Sequence, residues 1–219
     1  MGGFEIMFTL GESSGSLEKI VEEAITAGKE YGYSKESIIE IALSEYDVFI
    51  HCQGKEVFNA TVHFNEFLYE LLRFAFYAMT GEVPKNMRSY GWSFKSSKEL
   101  PDWLDEEVRT LRELLGGEFN ELTSNLFLRS FLGSYDPRFI VYGFRGSEYV
   151  YFISVDYRKV CKVSIKEFVK IIMNVTEDAI QELESYTPIF EKNGIKGYQE
   201  MINDYKRLLE KLRASLRKQ

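Results

Sequence analysis

"VHFNEFLYELL" (62–72) and "VSIKEFVKIIM" (163–173) are close to the same phrase written twice, 101 residues apart. Val62 meets Val163, Glu66 meets Glu167, Phe67 meets Phe168, Leu68 meets Val169 and Leu71 meets Ile172. In each copy an alternating, strand-like run passes straight into apolar residues at helical spacing. A strand meander has one apolar face, and the helix that follows can lay its stripe across that face. The expected fold class is therefore α+β: antiparallel strand meanders, each followed by an amphipathic helix. Internal duplication accounts for the echo, and so does convergence on a common strand-to-helix junction.

Upstream of the first copy, residues 4–10 read as a strand and 17–30 as a helix. Leu17, Ile20, Val21, Ala24, Ile25 and Ala27 lie on one side of it, and Ser16 is a natural N-cap. Within "SIIEIALSEYDVFIHCQGKEVFNATVHF" (37–64), Ile39, Ile41 and Leu43 alternate, as do Val48, Ile50 and Cys52. Both read as strands, with a short helix as the alternative for 37–44. "QGK" (53–55) signals a hairpin turn. Residues 65–79 form a helix with Phe67, Leu68, Leu71, Leu72, Ala75, Phe76 and Met79 inward, and Glu66, Glu70 and Arg73 as its wet side.

Downstream, 82–101 is irregular, 103–115 is helical and stops at Gly116-Gly117, and 126–132 reads as a strand or a short helix. Strands follow at 138–144, 148–155 and 159–163, then a helix from about 165 to 184. A last helix at about 196–217 carries a leucine-rich stripe. The organisation expected is one α+β domain over 1–219, with two similar halves at about 38–80 and 138–184. A helical and loop segment, 82–132, joins them, and the C-terminal helix closes the chain.

The charge is uneven. The net value is −7 overall, but −10 over 1–130, −1 over 131–195 and +4 over 196–219. An acidic body disfavours nucleic acid as a partner, because phosphate contacts need a basic surface. The basic end "KRLLEKLRASLRK" (206–218) keeps that alternative open, although the wet face of a packed helix would look the same. Cys52 and Cys161 lack a CxxC spacing and read as two buried, reduced thiols of a cytoplasmic protein. No run reaches the ~18 apolar residues of a membrane span, so no membrane partner is expected. "MGGFEI" lacks the charged start and apolar run of a signal peptide.

Recognisable chemistry is sparse. "GESSGS" (11–16) follows a strand and opens a helix, where backbone N–H groups and the helix dipole can hold a phosphate. Gly11, Ser13, Ser14, Gly15 and Ser16 are its candidate ligand-binding residues. Yet the loop has no lysine, fits neither phosphate-binding glycine pattern, and carries Glu12 where an anion would sit. The reading as a turn with a serine cap stands beside it. His51 and His63 could approach across a hairpin, but no acidic or thiol cluster surrounds them, so no metal site is nominated. There is no GxSxG elbow, and the carboxylates of Asp105-Glu106-Glu107 suit a solvated helix start. No catalytic residue and no cofactor is implied.

Binding is better marked. In "RSYGWSFKSS" (88–97), Tyr90, Trp92 and Phe94 alternate with small residues and would share one side of an extended segment. With Trp103 they are the candidate partner-binding residues, since interface hot spots favour Trp, Tyr and Arg. An edge strand pinned to the core would show the same pattern. Tyr149 and Tyr151 make one side of another strand phenolic, whether exposed for recognition or covered.

"FIVYGFRGSEYVYFISVDYRKVCKVSIKEFVKII" (139–172) resembles the strand-meander-then-helix segments of bacterial polymorphic-toxin immunity proteins. The likeness spans roughly 138–184, about a fifth of the chain, and "VSIKEFV" carries most of it. It implies a small acidic cytoplasmic binder that plugs a toxin, but it carries over no binding residue. The function expected is a non-enzymatic protein-binding module, an immunity or inhibitor protein of a bacterial or phage conflict system, with a partner that is another, basic protein. The alternatives are a small-molecule or nucleotide-binding protein or enzyme using 11–16, and nucleic-acid binding through the C-terminal helix. That amphipathic helix would serve equally for packing and for a homodimer.

Overall fold

In the first meander, β1 (Phe4–Leu10), β2 (Tyr46–Cys52) and β3 (Lys55–Val62) pair antiparallel in chain order and run into α3 (Phe64–Thr80). In the second, β4 (Thr123–Arg129), β5 (Ile140–Arg145), β6 (Tyr149–Ser154) and β7 (Lys159–Ser164) do the same and run into α5 (Ile165–Ser185). α1 (Leu17–Tyr31) and α2 (Lys35–Ala42) stand between β1 and β2, and α4 (Asp105–Leu115) precedes β4. α6 (Thr187–Lys192) and α7 (Gly197–Leu216) end the chain. This α+β architecture comes from a computed structural model that describes residues 3–10, 16–43, 46–82, 105–116, 123–129, 140–154 and 159–218.

The two echoed junctions occupy equivalent places. α3 and α5 begin at Phe64 and Ile165, at the offset of the sequence echo. The matched pairs Val62 and Val163, Phe67 and Phe168, Leu68 and Val169, and Leu71 and Ile172 are all buried. The units differ in detail. Ser164 caps α5 by accepting from the Glu167 N–H, whereas His63 gives α3 no side-chain cap.

Strand pairing explains the alternation. Phe4 opposes Cys52, Ile6 opposes Ile50, Val48 opposes Ala60 and Tyr46 opposes Val62, so one face of the first sheet is apolar and inward. Gln53 (φ 52°) and Gly54 (φ 73°) turn the β2–β3 hairpin with two left-handed residues, the geometry that matches the twist of paired strands. Four rings from four elements meet at the centre. Phe4 of β1 stacks on Phe152 of β6 at 4.9 Å, and Phe152 meets Phe74 of α3 at 5.8 Å and Phe168 of α5 at 5.2 Å. Both units therefore share one core.

Three expectations are corrected, and one open possibility is closed. Residues 37–44 are not a strand: Ser34 caps α2 by accepting from the Ser37 N–H at 3.1 Å, and Ile38, Ile39 and Ala42 face inward at helical spacing. The wet side expected for α3 is closed at Glu70, 3% exposed, and Arg73, 1%, where neighbouring elements surround the helix, while Glu66 in the first turn stays half-buried. Arg73 donates through Nη2 and Nε to Glu70 Oε2, at 2.5 and 3.1 Å. Cys52 and Cys161 are buried as expected but are joined in a disulfide, not reduced. His51 and His63 do not pair across the hairpin. His51 opposes Glu56, seven positions from His63, which at ~3.4 Å per residue leaves the two roughly 24 Å apart along the strand.

The apolar run at 126–132 overlaps β4, and the helix expected at 103–115 is α4. In the second sheet Phe144 opposes Tyr151, and both are buried with Ile153 on the side away from the central rings. α4 packs against β7. Tyr149 remains 37% exposed, with the Lys162 amine 4.5 Å from its ring centre and 5.3 Å from that of Tyr151. The expected phenolic strand side is thus only partly open.

Candidate functional site

Gly11, Ser13, Ser14 and Gly15 of the nominated loop lie outside the described residues, as do Tyr90, Trp92, Phe94 and Trp103. Ser16 is described, and its Oγ accepts from the Lys19 N–H at 3.4 Å. That bond is an N-cap, so this hydroxyl is engaged with the helix it opens.

The most open chemistry among the described residues is on the α1–α2 hairpin. Ile20, Val21, Ala24 and Ile25 turn one side of α1 into the core. Gly28 lets α2 come close: a Cβ there would stand 2.7 Å from Ile38 Cδ1. Gly32, at φ 71°, ends α1, and its N–H donates to the Gly28 carbonyl. This fixes the other side of the hairpin outward, with Glu18, Glu22, Glu23, Glu30, Glu36 and Glu40 exposed.

Some of these carboxylates are paired, Glu23 with Lys19 at 3.6 Å and Glu18 with Lys192 at 3.8 Å. Among the described residues, Glu22, Glu30, Glu36 and Glu40 form no ion pair. Lys35 is turned away, donating to the Gly194 carbonyl at 2.9 Å. Glu36 lies in the first turn of α2. The backbone N–H there and the Ser34 hydroxyl hold its carboxyl below the usual carboxylate range, so it stays charged.

Two phenols stand at the joint of this acidic surface. Tyr31 is 65% exposed and Tyr33 45%, with ring centres 5.8 Å apart. Ile41, also on the hairpin, is exposed. Sequence reading passed over these tyrosines because "YGYS" (31–34) marks a helix end. The available signal was two aromatics astride a C-cap glycine, where neither can turn into the helix stripe.

Other places offer less. Glu40, Leu43, His63, Asn65 and Glu66 line a cavity of about 30 Å³, room for a water and no larger ligand. Tyr46 and Tyr186 both donate to Glu182 Oε1 at 3.0 Å, tying β2 to α5. Burial, then the Glu182 charge, pushes both phenols above the usual tyrosine range. Among the described residues no group of His, Cys, Asp and Glu is placed to hold a metal ion, and no helix is long and apolar enough to cross a membrane. The basic charge of α7 is largely met by neighbours. Lys206 pairs with Glu184 at 2.5 Å, Arg207 with Asp204, and Arg213 with both Glu177 and Glu210.

No protein-family model, curated protein or solved structure matches the chain.

Proposed function

We propose that the protein is a non-enzymatic binding module for another, basic protein, and that it serves as an immunity or inhibitor protein of a bacterial or phage conflict system. One observation carries this reading: Tyr31 and Tyr33 stand exposed within the carboxylate surface of the α1–α2 hairpin. Tyrosine gives contact area at low entropic cost and is enriched at binding hot spots. The surrounding carboxylates would steer a basic surface toward it and raise the association rate at low salt.

Affinity capture from the source cells tests the proposal, with three variants beside the wild type: Tyr31→Ser with Tyr33→Ser, Glu22→Lys with Glu23→Lys, and Trp92→Ala. The expected result is one stoichiometric basic protein on the wild-type column. It should be lost with the tyrosine pair and weakened with the charge reversal. Loss with Trp92→Ala alone would move the contact to the 88–97 segment. A partner retained at wild-type affinity by all three variants would refute both surfaces.

A further inference from the structure

Cys52 and Cys161 are the chain's two cysteines, and the fold brings them together from different sheets. Their Cα atoms stand 5.8 Å apart, inside the roughly 4.4–6.8 Å that a disulfide spans. The surroundings repeat the link without covalency. Phe4 is the register partner of Cys52, Phe152 is that of Cys161, and these two rings stack. Lys159, two residues before Cys161, donates through Nζ to the Glu56 carbonyl of β3 at 2.8 Å. A covalent pair, an aromatic pair and a hydrogen bond thus join the same two sheets.

Access separates a permanent cross-link from a switch. Reduction needs a thiolate to approach a disulfide sulfur, and buried sulfurs resist that approach. Cys52 is 6% exposed and Cys161 1%, and both belong to the main core. A reductant could reach them only after the sheets part. The bond also closes a loop of 109 residues, so it restrains both units at once.

We infer that Cys52–Cys161 is a permanent structural cross-link, closed in the working protein, and that the chain folds and acts where thiols are oxidised and not in a reducing cytoplasm. Such bonds persist in oxidising compartments and are rare where glutathione and thioredoxin keep thiols reduced. Forming the bond takes two electrons and two protons from the two thiols. The disulfide of a protein thiol oxidase accepts them through a mixed disulfide and leaves as a dithiol.

The test begins with acid-quenched cells making the chain from its own gene. Free thiols are blocked with a maleimide and the intact mass is read. The expected chain carries no maleimide and is lighter by two hydrogens than the dithiol form. The purified protein is then held in millimolar dithiothreitol, with and without urea, and should be reduced only when urea opens the core. Two maleimides on the quenched chain would overturn the inference, as would reduction equally fast in native buffer. A third arm compares Cys52→Ser with wild type. Lost stability or failure to fold supports the structural role, whereas wild-type stability overturns it.

Discussion

Replacing Arg73 with methionine should break an ion pair held inside the protein. Arg73 and Glu70 are 1% and 3% exposed, on a helix buried along nearly its whole length. Two guanidinium nitrogens of Arg73 bond one carboxylate oxygen of Glu70, at 2.5 and 3.1 Å. Methionine keeps the stem volume and takes the guanidinium away from the Glu70 carboxylate, which is 3% exposed. Breaking a buried pair in this way costs about 3–5 kcal/mol, whereas replacing both partners by apolar residues is often neutral or stabilising. In a chain of 219 residues each kcal/mol moves the thermal midpoint by about 2 °C, so Arg73→Met should lower it by roughly 6–10 °C. Glu70→Met with Arg73→Met should recover most of that loss. Urea unfolding of the two singles, the double and the wild type closes the cycle, with an unchanged m-value showing that the end states are comparable. The reasoning fails if Arg73→Met stays within about 1 kcal/mol of wild type, or if the double variant is no more stable than the worse single.

Replacing both Cys52 and Cys161 with alanine should lower the unfolding free energy by about 4.7 kcal/mol, the loop-closure figure for a cross-link near 100 residues, read from the urea midpoint. Gly28→Ala gains about 1 kcal/mol of helix propensity but forces Ile38 aside, and overpacking of that kind costs about 1–3 kcal/mol. The variant should therefore be neutral to destabilised by the urea midpoint, and Ile38→Val should not rescue it, because valine keeps the Cγ1 that would stand 2.9 Å from the new Cβ. Tyr46, Tyr186 and Tyr198 have folded-state pKa values raised chiefly by burial. Their stabilising contribution is complete below the unfolded value of about 10 and is lost as pH climbs above it. Tyr46 and Tyr198, the two fully buried phenols, should each cost about 1.4 kcal/mol per pH unit there, and urea titrations at alkaline pH should show a shallower decline for Tyr46→Phe.

Where a signal is local, the sequence reads correctly. The stripes of α1, α3, α5 and α7 recur within single helices, and the turn at Gln53-Gly54 is written in two residues. Ser16 caps α1 because the side chain that satisfies a helix end sits at that end. The misreadings share a different cause. Ile39, Ile41 and Leu43 alternate as a strand would, but the cap at Ser34 and the inward trio Ile38, Ile39 and Ala42 decide for a helix. Glu70 and Arg73 look solvated because composition reports a charge and not its neighbours. Their burial depends on elements far along the chain. The Cys52–Cys161 pair is a contact across 109 positions with no spacing rule to announce it. Tyr31 and Tyr33 sit where "YGYS" marks the end of a helix, and exposure at such a turn is set by which helices pack on either side.

The placement of the α1–α2 hairpin bears on why binding would reside there. β2 and β3 are joined by two residues, and β5 and β6 by a turn at Gly146–Glu148. Antiparallel neighbours need no more than that. β1 and β2 are just as closely paired, yet their connection runs from 11 to 45 and contains two helices. Pairing these strands does not require so long a connection. Its inner side completes the core through Ile20, Val21, Ala24, Ile25 and Ile38, which accounts for its order. Its outer side contributes nothing to sheet closure and carries the acidic charge with Tyr31 and Tyr33. A connection anchored on one side and free on the other is where a rigid scaffold can carry recognition without disturbing its fold. The tyrosine pair should therefore be replaceable at little cost in stability, with the effect of its loss confined to partner binding.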